Sequence, residues 1–330
     1  MSLSKKIRYQ LEYLAVKWLA FSIPLMPRKL AQWTGKIIGD LAYLFDKRGR
    51  TTALENLKLV FGDSKDETER IRIAKDCYRG FGRVVMDQFW SPRLNESNYL
   101  EYCTLKFDEV EEVEKVKETG AIWVTPHYSN FEWIAMIMGF QGYHFTIVAR
   151  DFKNPKLTPI YKKNREMSGH EVIPPLRALL RLLKNLKRGG HAAFLSDLTI
   201  APSKAATIIE CFGQKVCVTA IHAQLMRRTG LPVIAGICKP LPDGRYLLQG
   251  IKAITLSPGD SDQKIAQACW DAFEPYIREN PAPWLWMYKH FRYISKDGVG
   301  DQPSYARSSE AFHELEERIA DQESASKLPE

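Results

Sequence analysis

Metal-ligand spacing is missing from this sequence. Its six cysteines, Cys77, Cys103, Cys211, Cys217, Cys238 and Cys269, form no CxxC pair and stand at no Cys/His ligand spacing. That scatter excludes a zinc site and a disulfide framework, and it fits reduced thiols in a cytoplasmic setting. Long apolar runs are missing too. The longest clean one, residues 18–26, has nine residues, against the roughly twenty needed to span hydrocarbon. No signal-peptide cleavage region follows it. The basic region lacks interleaved aromatics and no nucleic-acid motif occurs, which sets aside a nucleic-acid partner.

What is present is an ordinary globular composition with an uneven charge. A 45% hydrophobic share over 330 residues is ample for one large α/β domain or two small ones. The net charge is +8, and the stretch 150–188 alone carries eleven Lys/Arg against three acids. An anionic partner fits such a patch: lipid phosphates, a phosphorylated substrate or an acidic carrier protein. A solvated helix face fits it equally well. At the N-terminus, basic flanks, tryptophan and an apolar side interrupted by Glu12 and Lys17 describe either a helix in the membrane interface or an amphipathic core helix.

Strand and helix patterns alternate through the rest. Helical spacing covers residues 30–45 and 67–90, the second with Asp63 and Ser64 as its expected cap. Apolar runs at 121–125, 144–149, 171–173, 191–195, 231–237 and 246–254 read as strands, with helices at 133–140, 176–187, 219–228 and 263–279 between or after them. Beyond Lys296 the chain reads as frayed or as an exposed helix. The pattern predicts an α/β fold, a mostly parallel central sheet flanked by helices, with an N-terminal membrane-associating helical segment. The expected division is 1–45 for that segment, 46–296 for a catalytic domain and 297–330 for a polar tail.

Residues 121–133, AIWVTPHYSNFEW, hold the densest chemistry. A buried strand is stopped by Pro126, and His127, Ser129, Asn130 and Glu132 follow before an apolar helix. His127 and Glu132 would lie roughly 140° apart on one continuous helix, so they meet only if His127 precedes the helix and Glu132 sits in its first turn. Glu132 would then hold one imidazole nitrogen and leave the other as a general base. A buried histidine satisfied by a carbonyl, with Glu132 as a first-turn acid, is the plain alternative. His127, Arg150 and Asp197 each follow a predicted strand, the edge where parallel sheets gather their sites.

Five ordered motifs resemble one family, the bacterial late acyltransferases of lipid A biosynthesis, the lauroyl and myristoyl transferases, whose relatives acylate phosphatidylinositol mannosides. HYSNFE (127–132) is similar to His-Phe-Gly-Asn-Trp-Glu, and Asp197 with Leu198 to an Asp-Gln pair. Cys211, Phe212 and Gly213 leading to Thr219 stand for Phe-Phe-Gly before a Thr. MRRTGLPV (226–233) and WLWMYKHF (284–291) complete the set, and Asn56 and Leu57 follow the family's layout. The resemblance spans residues 10–295, with Ser129, Leu198, Tyr288 and His290 as departures.

It implies a glycerolipid-acyltransferase-like fold and O-acylation of a lipid A precursor or similar glycolipid from an acyl carrier protein or coenzyme A thioester. His127 would act as base, oriented by Glu132, at the cytoplasmic face of the inner membrane, with no metal or other cofactor. Asn130, Arg150 and Asp197 would contact substrate, and Lys184, Lys187 and Arg188 the carrier or lipid phosphates. Other lipid acceptors (a lysophospholipid, an ornithine lipid, a mannosylated inositol lipid), or a catalytically silent lipid- or carrier-binding protein, are the alternatives.

Overall fold

The computed structural model of the chain describes residues 2–257, 259–296 and 301–325. Four helices come first: α1 (Leu3–Ser22), α2 (Arg28–Phe45), α3 (Lys47–Phe61) and α4 (Glu67–Trp90). The cap of α4 is Asp66, whose carboxylate accepts from the Glu69 N–H at 2.8 Å. Asp63 and Ser64, expected in that role, sit in a short 3-10 turn one step earlier. Gly62, at φ 47°, has already broken the preceding helix there, leaving the cap to the next acid along.

Helices α2 and α4 approach backbone to backbone. A Cβ on Gly35 would stand 2.5 Å from the Gly82 carbonyl oxygen, so only glycine permits this crossing. Arg28 locks the pair, its Nε and Nη2 donating to the buried Asp87 at 2.9 and 3.0 Å. The guanidinium also lies over the Trp133 ring, 4.7 Å from its centroid. The outward sides are apolar: Leu3, Ile7, Leu11, Leu14, Trp18 and Phe21 line α1 at helical spacing, while Trp33, Ile37, Leu41 and Phe45 line α2, all exposed. No helix among the described residues is long and apolar enough to cross a membrane.

The remainder builds a sheet between helices. Its strands are β1 (Cys103–Phe107), β2 (Ile122–Thr125), β3 (Phe145–Val148), β4 (Glu171–Ile173), β5 (His191–Leu195), β8 (Val233–Pro240) and β9 (Tyr246–Ile254). They stand in the order β1-β9-β8-β2-β5-β3-β4. From β8 to β4 every pairing is parallel; β9 runs antiparallel to β8, with β1 parallel to β9. The intervening helices are α5 (Val110–Thr119), α6 (Phe131–Phe140), α7 (Thr158–Glu166), α8 (Ala178–Leu186), α9 (Ile221–Thr229) and α10 (Asp262–Glu279). Strand β2 is apolar at every position facing the core because both its faces are covered. Ile122 and Val124 pack into one cluster, Trp123 into another.

A separate hairpin, β6 (Ala206–Cys211) and β7 (Gln214–Thr219), turns on two residues, Phe212 at φ 52° and Gly213 at φ 79°. Both centres need positive φ in such a tight turn. Phe212 tolerates it while its ring packs on Trp270, Trp284 and Trp286. The C-terminal stretch ends in α11 (Glu310–Ala325), docked on this hairpin through Phe312 and Leu315. Of the two readings of the polar tail, frayed or an exposed helix, the helical one is found. Phe312, stacked on Tyr293 at 5.3 Å, supplies the apolar face that seats it.

Candidate active site

The C-terminal ends of β2, β3, β4 and β5 share one edge of the sheet, and the chain places His127, Arg150, Pro174 and Asp197 just past them. The turn carrying His127 is tight: the Tyr128 N–H donates to the Pro126 carbonyl at 2.7 Å. Loop 280–286 then clamps it. Ser129 N–H donates to Pro283 O at 2.9 Å, the Tyr128 hydroxyl donates to Asn280 O at 2.8 Å, and Tyr128 bridges to Trp284. Ser129 has φ 51°. That left-handed geometry is what a glycine adopts most cheaply, which accounts for Gly at this place in the motif that HYSNFE resembles.

Asp197 is the carboxylate that meets His127. Its Oδ1 lies 2.7 Å from Nδ1, and its Oδ2 accepts the His127 backbone N–H at 2.9 Å and the Trp284 indole N–H at 2.8 Å. Burial alone would raise the Asp197 carboxyl, but the facing imidazole and these hydrogen bonds outweigh it and hold the group below its ordinary range. An ionised, acceptor-only carboxylate obliges Nδ1 to carry the proton, so Nε2 of the neutral ring keeps its lone pair. The side chain of His127 is 14% exposed, open enough for a substrate to reach it, and the Phe131 ring packs edge-on against it at 4.8 Å.

Glu132 does not take the role expected of it. Its two oxygens accept from Arg165, at 3.0 Å from Nε and 2.5 Å from Nη2, a bidentate pair. Glu132 occupies the first turn of α6, and from there it reaches across to α7 rather than back to the imidazole. Asn130 is also placed differently. Fully buried, it caps α6 by accepting the Trp133 N–H at 3.3 Å, with its amide nitrogen 3.5 Å from Asp87. A side chain spent on a cap and an inward contact cannot bind substrate directly.

Beside the pair lies an apolar cavity of about 260 Å³ between α6 and the sheet. Trp123, Ile134, Met138, Phe145, Phe194 and Ile237 line it; Glu132 and Arg165 are its charged wall. Arg150 lines a neighbouring recess with Lys162 and Arg165. Lys184 lies in the last turn of α8. Lys187 and Arg188 follow that helix, and the next two residues, Gly189 and Gly190, pack on residues 118–120 just ahead of β2. Lys187 and Arg188 therefore occupy the opposite edge from His127, because α8 runs antiparallel to the strands.

All six cysteines are unpaired and buried. Burial pushes the thiols of Cys77, Cys103 and Cys217 up to about 12 and raises those of Cys211, Cys238 and Cys269. Among the described residues no three His, Cys, Asp or Glu side chains gather as a metal site. Arg165 and Trp284 are the site residues that sequence reasoning passed over. The first lay unmarked in a run of cations, the second in an aromatic cluster indistinguishable from plain core.

The family model described as bacterial lipid A biosynthesis acyltransferase matches residues 2–293 of the chain. No curated protein matches it.

Proposed function

The chain belongs to the bacterial lipid A biosynthesis acyltransferase family, and from that premise we propose that it moves a fatty acyl group from a thioester to a hydroxyl of a lipid A precursor, with His127 as general base. One observation carries this reading: a histidine oriented by a buried carboxylate packs on Phe131, which lines an apolar cavity. The acceptor O–H gives its proton to Nε2 as its oxygen attacks the thioester carbonyl. Asp197 stabilises the imidazolium that forms. The tetrahedral intermediate then expels the thiolate, which takes the proton back from His127. General-base help of this kind contributes typically 10²–10⁴-fold.

Direct transfer is favoured over a covalent acyl-enzyme, since the cysteines are buried and held as thiols. The cavity suits an acyl chain, and the Glu132–Arg165 pair gives its mouth a polar wall. The cationic excess over 150–188 supports an anionic partner, an acidic acyl carrier protein or lipid phosphates, with coenzyme A thioesters as the other thioester class. The exposed apolar stripes of α1 and α2 support a membrane-associating segment (1–45) ahead of the catalytic part (46–296). Lys5, Lys6, Glu12 and Lys17 leave α1 in the interface plane rather than across it. Reduced cysteines favour the cytoplasmic leaflet of the inner membrane.

The test compares whole-cell lipids by mass spectrometry, with cells carrying the wild-type chain or His127→Ala. Loss of one fatty acyl group from the glycolipid in the variant is the expected outcome. Unchanged lipids alongside a normally accumulated variant would remove His127 from the chemistry.

A further inference from the structure

Helix α8 and the turn before it carry a feature that the acyl-transfer chemistry leaves unused. Leu176 is 79% exposed and Leu180 67% exposed. Both stand at the end of α8 nearest the sheet edge that holds His127, since this segment directly follows β4. An exposed leucine alone means little, but these two lie on one side of a strongly two-faced helix whose other side, Ala178, Leu182 and Leu186, is buried. Together with Pro174, Arg177, Arg181 and Lys184 they wall an open groove.

Polarity changes along that outer side. Leu176 and Leu180 come first, Arg177 and Arg181 beside them, Lys184 one turn on, and Lys187 and Arg188 last. With 1.5 Å of rise per residue, the cations at 184–188 stand roughly 6–12 Å behind Leu180. Two leucines ahead of a set of cations match the order in an anionic membrane surface, where acyl chains lie beneath a layer of phosphates. The segment after β3 also ties this region to α1. Asn154, in the segment after β3, donates to the Tyr9 carbonyl at 2.8 Å. Phe152 stacks on Tyr161 at 4.5 Å, and both line the recess that continues to Pro174.

We infer that Leu176 and Leu180 form a second membrane contact, dipping into an anionic lipid surface at the site's edge while Arg177, Arg181 and Lys184 engage lipid phosphates. This rests on the membrane-associated reading of α1 above. A second contact besides that of α1 would hold this edge of the site against the bilayer, so a two-tailed acceptor reaches His127 without leaving lipid.

Because every native cysteine is buried, Leu180→Cys can be labelled selectively in the full chain with an environment-sensitive dye. On phosphatidylglycerol vesicles the dye should shift blue and brighten, and it should respond several-fold less on phosphatidylcholine. Leu176→Ser with Leu180→Ser should slow turnover of acceptor in vesicles at least tenfold and leave turnover of detergent-dispersed acceptor unchanged. A dye that ignores vesicles but responds to acyl carrier protein would make this a carrier dock and overturn the inference. A parallel Leu11→Cys probe separates the two readings. If it responds to vesicles while position 180 is silent, only the second contact falls; if both are silent, membrane association falls with it.

Discussion

Replacing Asp197 with asparagine keeps the shape of the site and removes one acceptor. Three N–H groups converge on the two oxygens of this buried carboxylate: the His127 ring at 2.7 Å, the His127 backbone at 2.9 Å and the Trp284 indole at 2.8 Å. An amide offers one oxygen. Facing it to the ring would strand two buried donors, at about 1–3 kcal/mol each. Facing it to the backbone and indole keeps two bonds and turns the amide N–H toward Nδ1, so the second orientation wins. Nδ1 must then accept, the imidazole proton moves to Nε2, and the base has no lone pair to offer. Losing the base and the charge that supports the imidazolium predicts a fall in kcat of roughly 10³–10⁴. At 1.36 kcal/mol per decade that is about 4–5.5 kcal/mol of barrier. The assay is thiol release from an acyl thioester with lipid acceptor in vesicles, alongside a thermal melt by circular dichroism. Asp197→Asn turning over within tenfold of wild type with an unchanged melt, while Glu132→Gln loses roughly 10³-fold or more, would refute the orientation argument and return the imidazole's partner to Glu132.

Two further outcomes concern stability. His170, His191, His222 and His290 are each held down to about 4 by burial. The unfolded chain protonates these groups near 6.5. Between 6.5 and 4 the unfolded state thus binds more protons, so stability is full above that window and falls as pH drops through it, by up to roughly 1.4 kcal/mol per unit for each histidine. Urea midpoints at pH 7, 6 and 5 should show the decline, and His222→Leu, which removes a ring with no partner on either nitrogen among the described residues, should make it shallower. An identical slope in that variant would discard the linkage. Gly35→Ala gains about 1 kcal/mol of helix propensity but drives a Cβ to 2.5 Å from the Gly82 carbonyl, an overpacking cost of typically 1–3 kcal/mol. Net destabilisation is expected in urea unfolding, and a net gain near the propensity value would show that α2 and α4 separate freely.

Most of the central sheet was legible in the sequence because its inner strands are runs covered on both faces and its helices show their own period, signals that do not depend on distant residues; the separate β6–β7 hairpin was not. The tight turn at Pro126, the sheet edge beyond it and the His127 position followed from the same local rules. So did the family resemblance, carried by the ordered motifs. Which carboxylate meets the imidazole did not follow. Glu132 is five residues from His127 and Asp197 is seventy, yet β2 pairs directly with β5, and this parallel neighbour delivers Asp197 to the ring while α6 turns Glu132 away to Arg165. Spacing along the chain ranks partners by sequence distance; pairing between strands ranks them by space. The sequence by itself determined most strands and helices of the central sheet and, just past the end of one strand, placed His127. Only the tertiary structure decided its partner, the cavity at its side and the side of the fold on which the cations of α8 lie, because each depends on how separate elements pack.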